Sequence, residues 1–100
     1  MVTKEDVYKD LKKVLDPELG LNIVDLGLIY DVGVDKNGSV KILMTLTFPG
    51  CPLGGMIHKE INEKVGRNKK VKKVDIKITF DPPWDFSKVT QEARAELGML

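Results

Sequence analysis

One cysteine and one histidine are all that this chain of 100 residues has by way of thiol or imidazole groups. A lone cysteine closes no internal disulfide, which points to a reducing, cytoplasmic setting. Together the two fall short of the Cys/His ligand set of a structural zinc site within one chain. Charge of one sign is also missing: 16 Lys and Arg face 15 Asp and Glu, for a formal net charge of +1. A chain so balanced is not expected to bind nucleic acid or a membrane surface strongly. No apolar run approaches the roughly 20 residues that span a bilayer. The start, Met1 to Asp6, is polar at once and lacks the apolar core of a secretory signal. Neither a phosphate loop nor a serine hydrolase elbow occurs.

What is present suits a globular chain. With 42% hydrophobic and 31% charged residues, the composition is that of a folded protein. The length fits a single domain over residues 1–100, large enough to bury a core. Internal repeats, linkers and low-complexity segments are not seen.

Periodicity orders the elements. Val7, Leu11, Val14 and Leu15 recur at helical spacing, which predicts a helix over residues 3–15 with Thr3 as its N-cap. Asp16-Pro17 should end it. From Glu18 to Gly27 no period is clear, yet Leu19, Leu21, Ile23, Val24 and Leu26 are too apolar for a loose loop. This reads as a packed connection with turns or close approaches at Gly20 and Gly27. A period of two then predicts a hairpin. Leu28, Tyr30, Val32 and Val34 are answered by Val40, Ile42, Met44, Leu46 and Phe48 across a turn at Lys36-Asn37-Gly38. Leu53, Met56, Ile57, Ile61 and Val65 form a helical stripe that runs to about Gly66. Val74, Ile76, Ile78 and Phe80 alternate as a third strand, and a last helix from about Ser87 or Thr90 turns Val89, Ala93 and Leu97 inward.

The expected fold is an α+β two-layer sandwich of order α-β-β-α-β-α. Helices pack on one face of a small three-stranded mixed sheet. The other face carries Lys41, Thr45, Thr47, Lys77 and Thr79 and is left for solvent or a partner.

Chemistry concentrates in Thr47-Phe48-Pro49-Gly50-Cys51-Pro52-Leu53-Gly54-Gly55-Met56, where a strand pattern gives way to a helix pattern. Pro52 suits a first helical position, which makes Cys51 the N-cap. Free amides and the helix dipole there favour the thiolate, the form that binds metal or attacks an electrophile. Gly54 and Gly55 each disfavour a helix by about 1 kcal/mol relative to alanine, so their pairing asks for a reason. Room beside the cysteine for a ligand or a second backbone is one; close packing around a small buried thiol is the other. Spacing alone leaves both open.

The remaining chemical groups read more blandly. His58 lies further along the same helix and is expected at its surface or boundary. Glu18 and Asp25 sit in the constrained connection, as turn-formers or caps ahead of oxygen ligands or bases. Trp84, in the stiff Asp81-Pro82-Pro83-Trp84-Asp85 loop, is read as a lid on the core edge ahead of a stacking surface. The basic run Arg67, Lys69, Lys70, Lys72 and Lys73 lacks interleaved aromatics and reads as a solvated loop.

Several motifs in order carry a resemblance. Asp16-Pro17-Glu18-Leu19-Gly20 is followed by Asn22-Ile23-Val24-Asp25-Leu26-Gly27-Leu28-Ile29-Tyr30-Asp31. Then come Thr45-Leu46-Thr47, Pro49-Gly50-Cys51-Pro52-Leu53, Asp81-Pro82-Pro83-Trp84 and the closing Ala93-Arg94 with Leu97-Gly98. From the first helix to Gly98, the chain resembles the small iron–sulfur cluster assembly family of PaaD-like and SufT-like proteins. The same domain stands at the N-terminus of some Mrp/ApbC-type carriers.

The resemblance implies an auxiliary, non-enzymatic role in maturing iron–sulfur proteins. It puts the family's reactive cysteine on Cys51, its acids on Glu18 and Asp25, and its strand-end threonine on Thr47; Gly50 and Trp84 are candidate surroundings. An iron–sulfur cluster usually takes four cysteine ligands. One held here would be labile and transient, bridging a homodimer through two copies of Cys51 or shared with a client or glutathione. The implied partners are assembly proteins or apo-clients. Two rivals stand beside this: a metal-free adaptor that binds clients, and a thiol enzyme. For the enzyme, no base has an evident position near Cys51.

Overall fold

The order read from periodicity is the order of the fold. A computed structural model describes residues 2–16, 20–46, 54–96 and 98. Readings made for Glu18, Thr47, Phe48, Gly50, Cys51, Pro52, Leu53 and Leu97 lie outside the described residues. The elements are α1 (Lys4–Leu11), β1 (Ile29–Val34), β2 (Ser39–Met44), α2 (Gly54–Gly66), β3 (Lys73–Ile78) and α3 (Gln91–Glu96), with a 3-10 turn at Phe86–Lys88. Among the described residues no helix is long and apolar enough to cross a membrane.

β2 is the centre of the sheet, in the order β1-β2-β3. It pairs antiparallel with β1 (Val32 opposite Ile42, Val34 opposite Val40). It pairs parallel with β3 (Val40 opposite Val74, Met44 opposite Ile78). The hairpin turn is held by Asp35, whose Oδ1 accepts the N–H groups of Asn37 and Ser39 at 2.8 and 3.0 Å. Only Gly38 there takes a positive φ, of 85°, while Asn37 does not. A side chain on Gly38 would run into Lys70 and Lys72, whose N–H donates to the Gly38 carbonyl at 2.8 Å. The basic turn is thus stitched to the hairpin.

One apolar cluster takes Val7 and Leu11 from α1, Ile23, Leu26 and Leu28 from the connection, and Val32, Val40, Ile42 and Met44 from the hairpin. Ile57, Ile61 and Val65 of α2 and Val89 and Ala93 at the C-terminal end complete it. The alternation in β2 is as expected: Val40, Ile42, Met44 and Leu46 are buried, Lys41 is exposed.

Four expectations are corrected. The first helix stops at Leu11, because the N–H groups of Lys13 and Val14 reach back three residues to Asp10 and Leu11 and tighten the last turn. Val14 stays buried, but Leu15 is 52% exposed and forms an isolated bridge with Asn22. Met56 is not part of the buried stripe of α2. Ile57, Ile61 and Val65 repeat every four residues, and Met56, rotated one position off that line, is 59% exposed. Thr45 is fully buried instead of lying on the open face. β2 has ended at Met44, and the Thr45 N–H donates to the Leu28 carbonyl at 2.8 Å. The third strand ends at Ile78, short of Phe80, and both side chains are 38% exposed.

Two carboxylates, half-buried Asp6 and exposed Asp85, fasten element ends. Asp6 is held below the usual carboxylate range first by the Thr3 backbone N–H and next by the Thr3 side chain, in a reciprocal capping box. Asp85 is lowered first by the Ser87 side chain and then by the Ser87 N–H. A depressed folded pKa contributes stability above the unfolded value and loses it as pH falls through the folded pKa. Acid titration of stability should therefore show a decline below about pH 4 that is shallower in Thr3→Ala and Ser87→Ala. Urea midpoints measured across that range check it.

Candidate functional site

The segment 47–53, which carries Thr47, Gly50 and Cys51, joins the end of the central strand to α2. Its two anchors are described. Leu46 is buried on the β2 side, and α2 begins at Gly54. A Cβ built on Gly55 meets nothing within 4 Å. Among the described residues, close packing therefore does not account for the second glycine, and the first turn of α2 is open beside it.

Next to that turn is a recess of about 260 Å³ lined by Lys13, Leu15, Met56, Ile57 and Glu60. Its two exposed apolar side chains are the pair that helical spacing had placed in the core. Periodicity alone carried no signal for it, since both residues sit at the margin of a real apolar stripe.

Asp25 is a turn-former, as its bland reading had it. Its Oδ2 accepts the Asn22 side-chain amide and its N–H donates to Asn22 Oδ1, both at 2.9 Å. Its carbonyl accepts the Thr90 N–H at 2.8 Å. Thr90 in turn receives the Ala93 N–H at its Oγ1, at 3.3 Å, and so caps α3. The connection therefore holds the C-terminal helix in place.

Trp84 closes the core edge. Half-buried against the apolar cluster, it donates its indole N–H to the carbonyl of Leu26 at 2.6 Å. Trp84 and Thr90 thus donate to the carbonyls of adjacent residues, Leu26 and Asp25, in one turn. A second tie runs beside it: Tyr30 donates its hydroxyl to the Pro82 carbonyl at 2.7 Å, and Lys88 Nζ lies 5.3 Å from the centre of the Tyr30 ring. The sequence marks Tyr30 as a strand residue within the Asn22 to Asp31 motif and carries no sign of this tie. His58 is exposed on α2, its Nδ1 3.1 Å from the Asn62 amide one turn on. It keeps the surface role expected of it.

Among the described residues no three His, Cys, Asp or Glu side chains converge as a metal ligand set.

Comparison with known proteins defines the class. A model of the family described as iron-sulfur cluster assembly protein matches residues 4–78, and the chain belongs to that family. It is 45% identical over 98 residues to the Fe-S protein maturation auxiliary factor of Porphyromonas gingivalis, covering 98% of this chain and 93% of that protein. It is 42% identical over 96 residues to the Fe-S protein maturation auxiliary factor YitW of Bacillus subtilis, covering 96% and 94%. The crystal structure of the DUF59 domain of unknown function from Bacillus anthracis superposes with a TM-score of 0.92 at 36% identity, covering 97% of this chain and 92% of that one.

Two substitutions test the geometry around the 22–27 turn. Gly27 has φ of 76°, and a side chain there would collide with the Lys88 backbone, whereas Gly20, at φ of 72°, faces open space. Gly27→Ala should lose at least about 1–2 kcal/mol from the left-handed backbone alone, and distinctly more than Gly20→Ala, by urea unfolding. Trp84→Phe should lose about 1 kcal/mol for the missing hydrogen bond, with faster amide exchange at Thr90 and Ala93 as the C-terminal segment loosens.

Proposed function

We propose that this protein is an auxiliary factor in iron–sulfur protein maturation, whose single thiol, Cys51, engages a labile cluster as cargo. The reading starts from one observation. The chain's only cysteine falls in the segment between the central strand and α2, and among the described residues nothing crowds the first turn of that helix at Gly55. Membership of the assembly family and near full-length similarity to two maturation factors support it. Residues 1–100 act as one domain in it.

Ligand arithmetic shapes the mechanism. With one thiolate per chain against the usual four around a cluster, the remaining donors come from outside: a second copy of the chain, a client protein or a small thiol. Incomplete ligation favours handing the cluster on over keeping it. Glu18, Thr47 and Gly50 are the proposed surroundings of Cys51. Asp25 and Trp84 support the site by holding the adjoining turn and not as ligands. A role as auxiliary factor requires no turnover at Cys51, and the exposed His58 is already engaged with Asn62.

A second reading has its own observation. The Leu15 and Met56 recess offers exposed apolar surface beside α2, which suits a metal-free adaptor that grips an apo-client.

Anaerobic reconstitution with iron and sulfide separates the two. On the carrier reading, wild type takes up iron and sulfide with a charge-transfer spectrum, and Cys51→Ser loses most of both. If the two proteins bind equally little iron and both support maturation of a client, the carrier reading fails. Met56→Asp would then be expected to abolish client maturation while leaving iron content unchanged.

A further inference from the structure

β3 is an edge strand with an unusual pattern. The Lys73 N–H points to the Gly38 carbonyl and the Thr79 N–H to the Met44 carbonyl, at 3.4 and 2.8 Å. In a parallel pair the residues that face the neighbour alternate. Odd-numbered positions therefore turn their backbone groups to β2, and Val74, Ile76 and Ile78 turn theirs outward. Among the described residues no other segment bonds to that outer edge. The apolar side of the strand is also poorly covered: Val74 and Ile76 are half-buried, and Ile78 and Phe80 are each 38% exposed.

Edge strands are commonly kept from pairing by lysines or proline. β3 has no proline and carries Lys73 and Lys77 with Asp75 between them, so that the strand is charge-complementary to itself about Ile76. We propose that the β3 edges of two copies of this chain pair antiparallel around a two-fold axis at Ile76, so that one sheet runs through both. In this register Ile76 faces its own copy and Val74 faces Ile78 of the partner subunit. Both are pairs whose backbone groups point outward and exchange hydrogen bonds. Asp75 then lies opposite Lys77 of the partner subunit in the closer, non-hydrogen-bonded positions, twice over by symmetry.

A register with its axis at Val74 sets Asp75 on Lys73 of the partner subunit but overlaps only residues 73–75 of the strand, against 74–78 for the axis at Ile76. The register with its axis at Asp75 is disfavoured by charge. An axis at Asp75 would set Asp75 on itself and Lys73 on Lys77 of the partner subunit, both like-charged. The ion pair within the strand, Lys73 to Asp75 at 3.6 Å, joins two well-exposed side chains and competes weakly. This pairing is independent of the cluster reading, because no residue of the 47–53 segment takes part in it.

Sedimentation equilibrium over a concentration series up to about 1 mM provides the test. Wild type should show a monomer–dimer equilibrium, and Cys51→Ser should show the same one. Asp75→Lys or Lys77→Asp alone should weaken association roughly tenfold or more. The double exchange D75K/K77D should restore it, and an equimolar mixture of the two single variants should associate with each other. A wild type that stays monomeric, a dimer lost in Cys51→Ser, or a double variant as weak as the singles would overturn the proposal.

Discussion

A central strand with one antiparallel and one parallel neighbour is the constraint from which the rest follows. β2 reaches β1 through a tight turn at Asp35 to Gly38, because antiparallel neighbours need no more than that. Its parallel neighbour β3 needs a crossover, since the chain must return to the same end before it can run the same way again. The crossover leaves the end of β2, passes through 47–53 and returns as α2. In sequence, the one thiol of the chain falls in that 47–53 connection. In open α/β arrangements, ligands gather beyond the carboxyl ends of strands for this same topological reason.

The second organising feature is the 22–28 stretch, which has almost no regular structure and holds much of the molecule together. Its buried Ile23, Leu26 and Leu28 enter the core. Its backbone carbonyls serve the rest of the chain: Leu26 takes the Trp84 indole, Asp25 takes Thr90, and Leu28 takes Thr45. An apolar segment with polar backbone must find such partners, because a buried carbonyl left unpaired is expensive. That requirement explains why the Pro-rich loop and α3, remote in sequence, close over this turn.

Legibility in the sequence followed the strength of local pattern. The hairpin was readable because Val40, Ile42 and Met44 alternate strictly with exposed or half-buried neighbours and the turn chemistry agrees. Val89 and Ala93 were found as inward positions, although the last helix begins only at Gln91 and Val89 precedes it. Leu15 and Met56 were misplaced because each lies one step beyond a true stripe, and hydropathy does not show where a helix tightens and stops. Thr45 was misplaced because strand alternation was carried past the last ladder residue. Asp25 was noticed through its setting, but its bond to Asn22 and its hold on Thr90 needed coordinates. Tyr30 showed no sign of its bond to Pro82, a contact between residues far apart in sequence. The chemical centre stayed a matter of motif: Cys51 stands out by its uniqueness and by the glycines after it, and family membership gives it weight.

The two unfinished features of the molecule differ in kind, which bears on how partners would be used. The thiol is unfinished chemically: one soft donor is a fraction of what a cluster takes, so on the proposed reading any cluster held here is shared by necessity. Among the described residues the β3 edge is unfinished in its backbone, and on the proposed pairing a second copy of the strand would meet its needs. A dimer joined only by cargo would fall apart whenever the cargo left, and would re-form only by diffusion. A dimer joined through the strand edge would persist in the absence of cargo, and could receive and release it without reassembling. Keeping cohesion on the backbone and transfer on the thiol would let each be weak without failing the other.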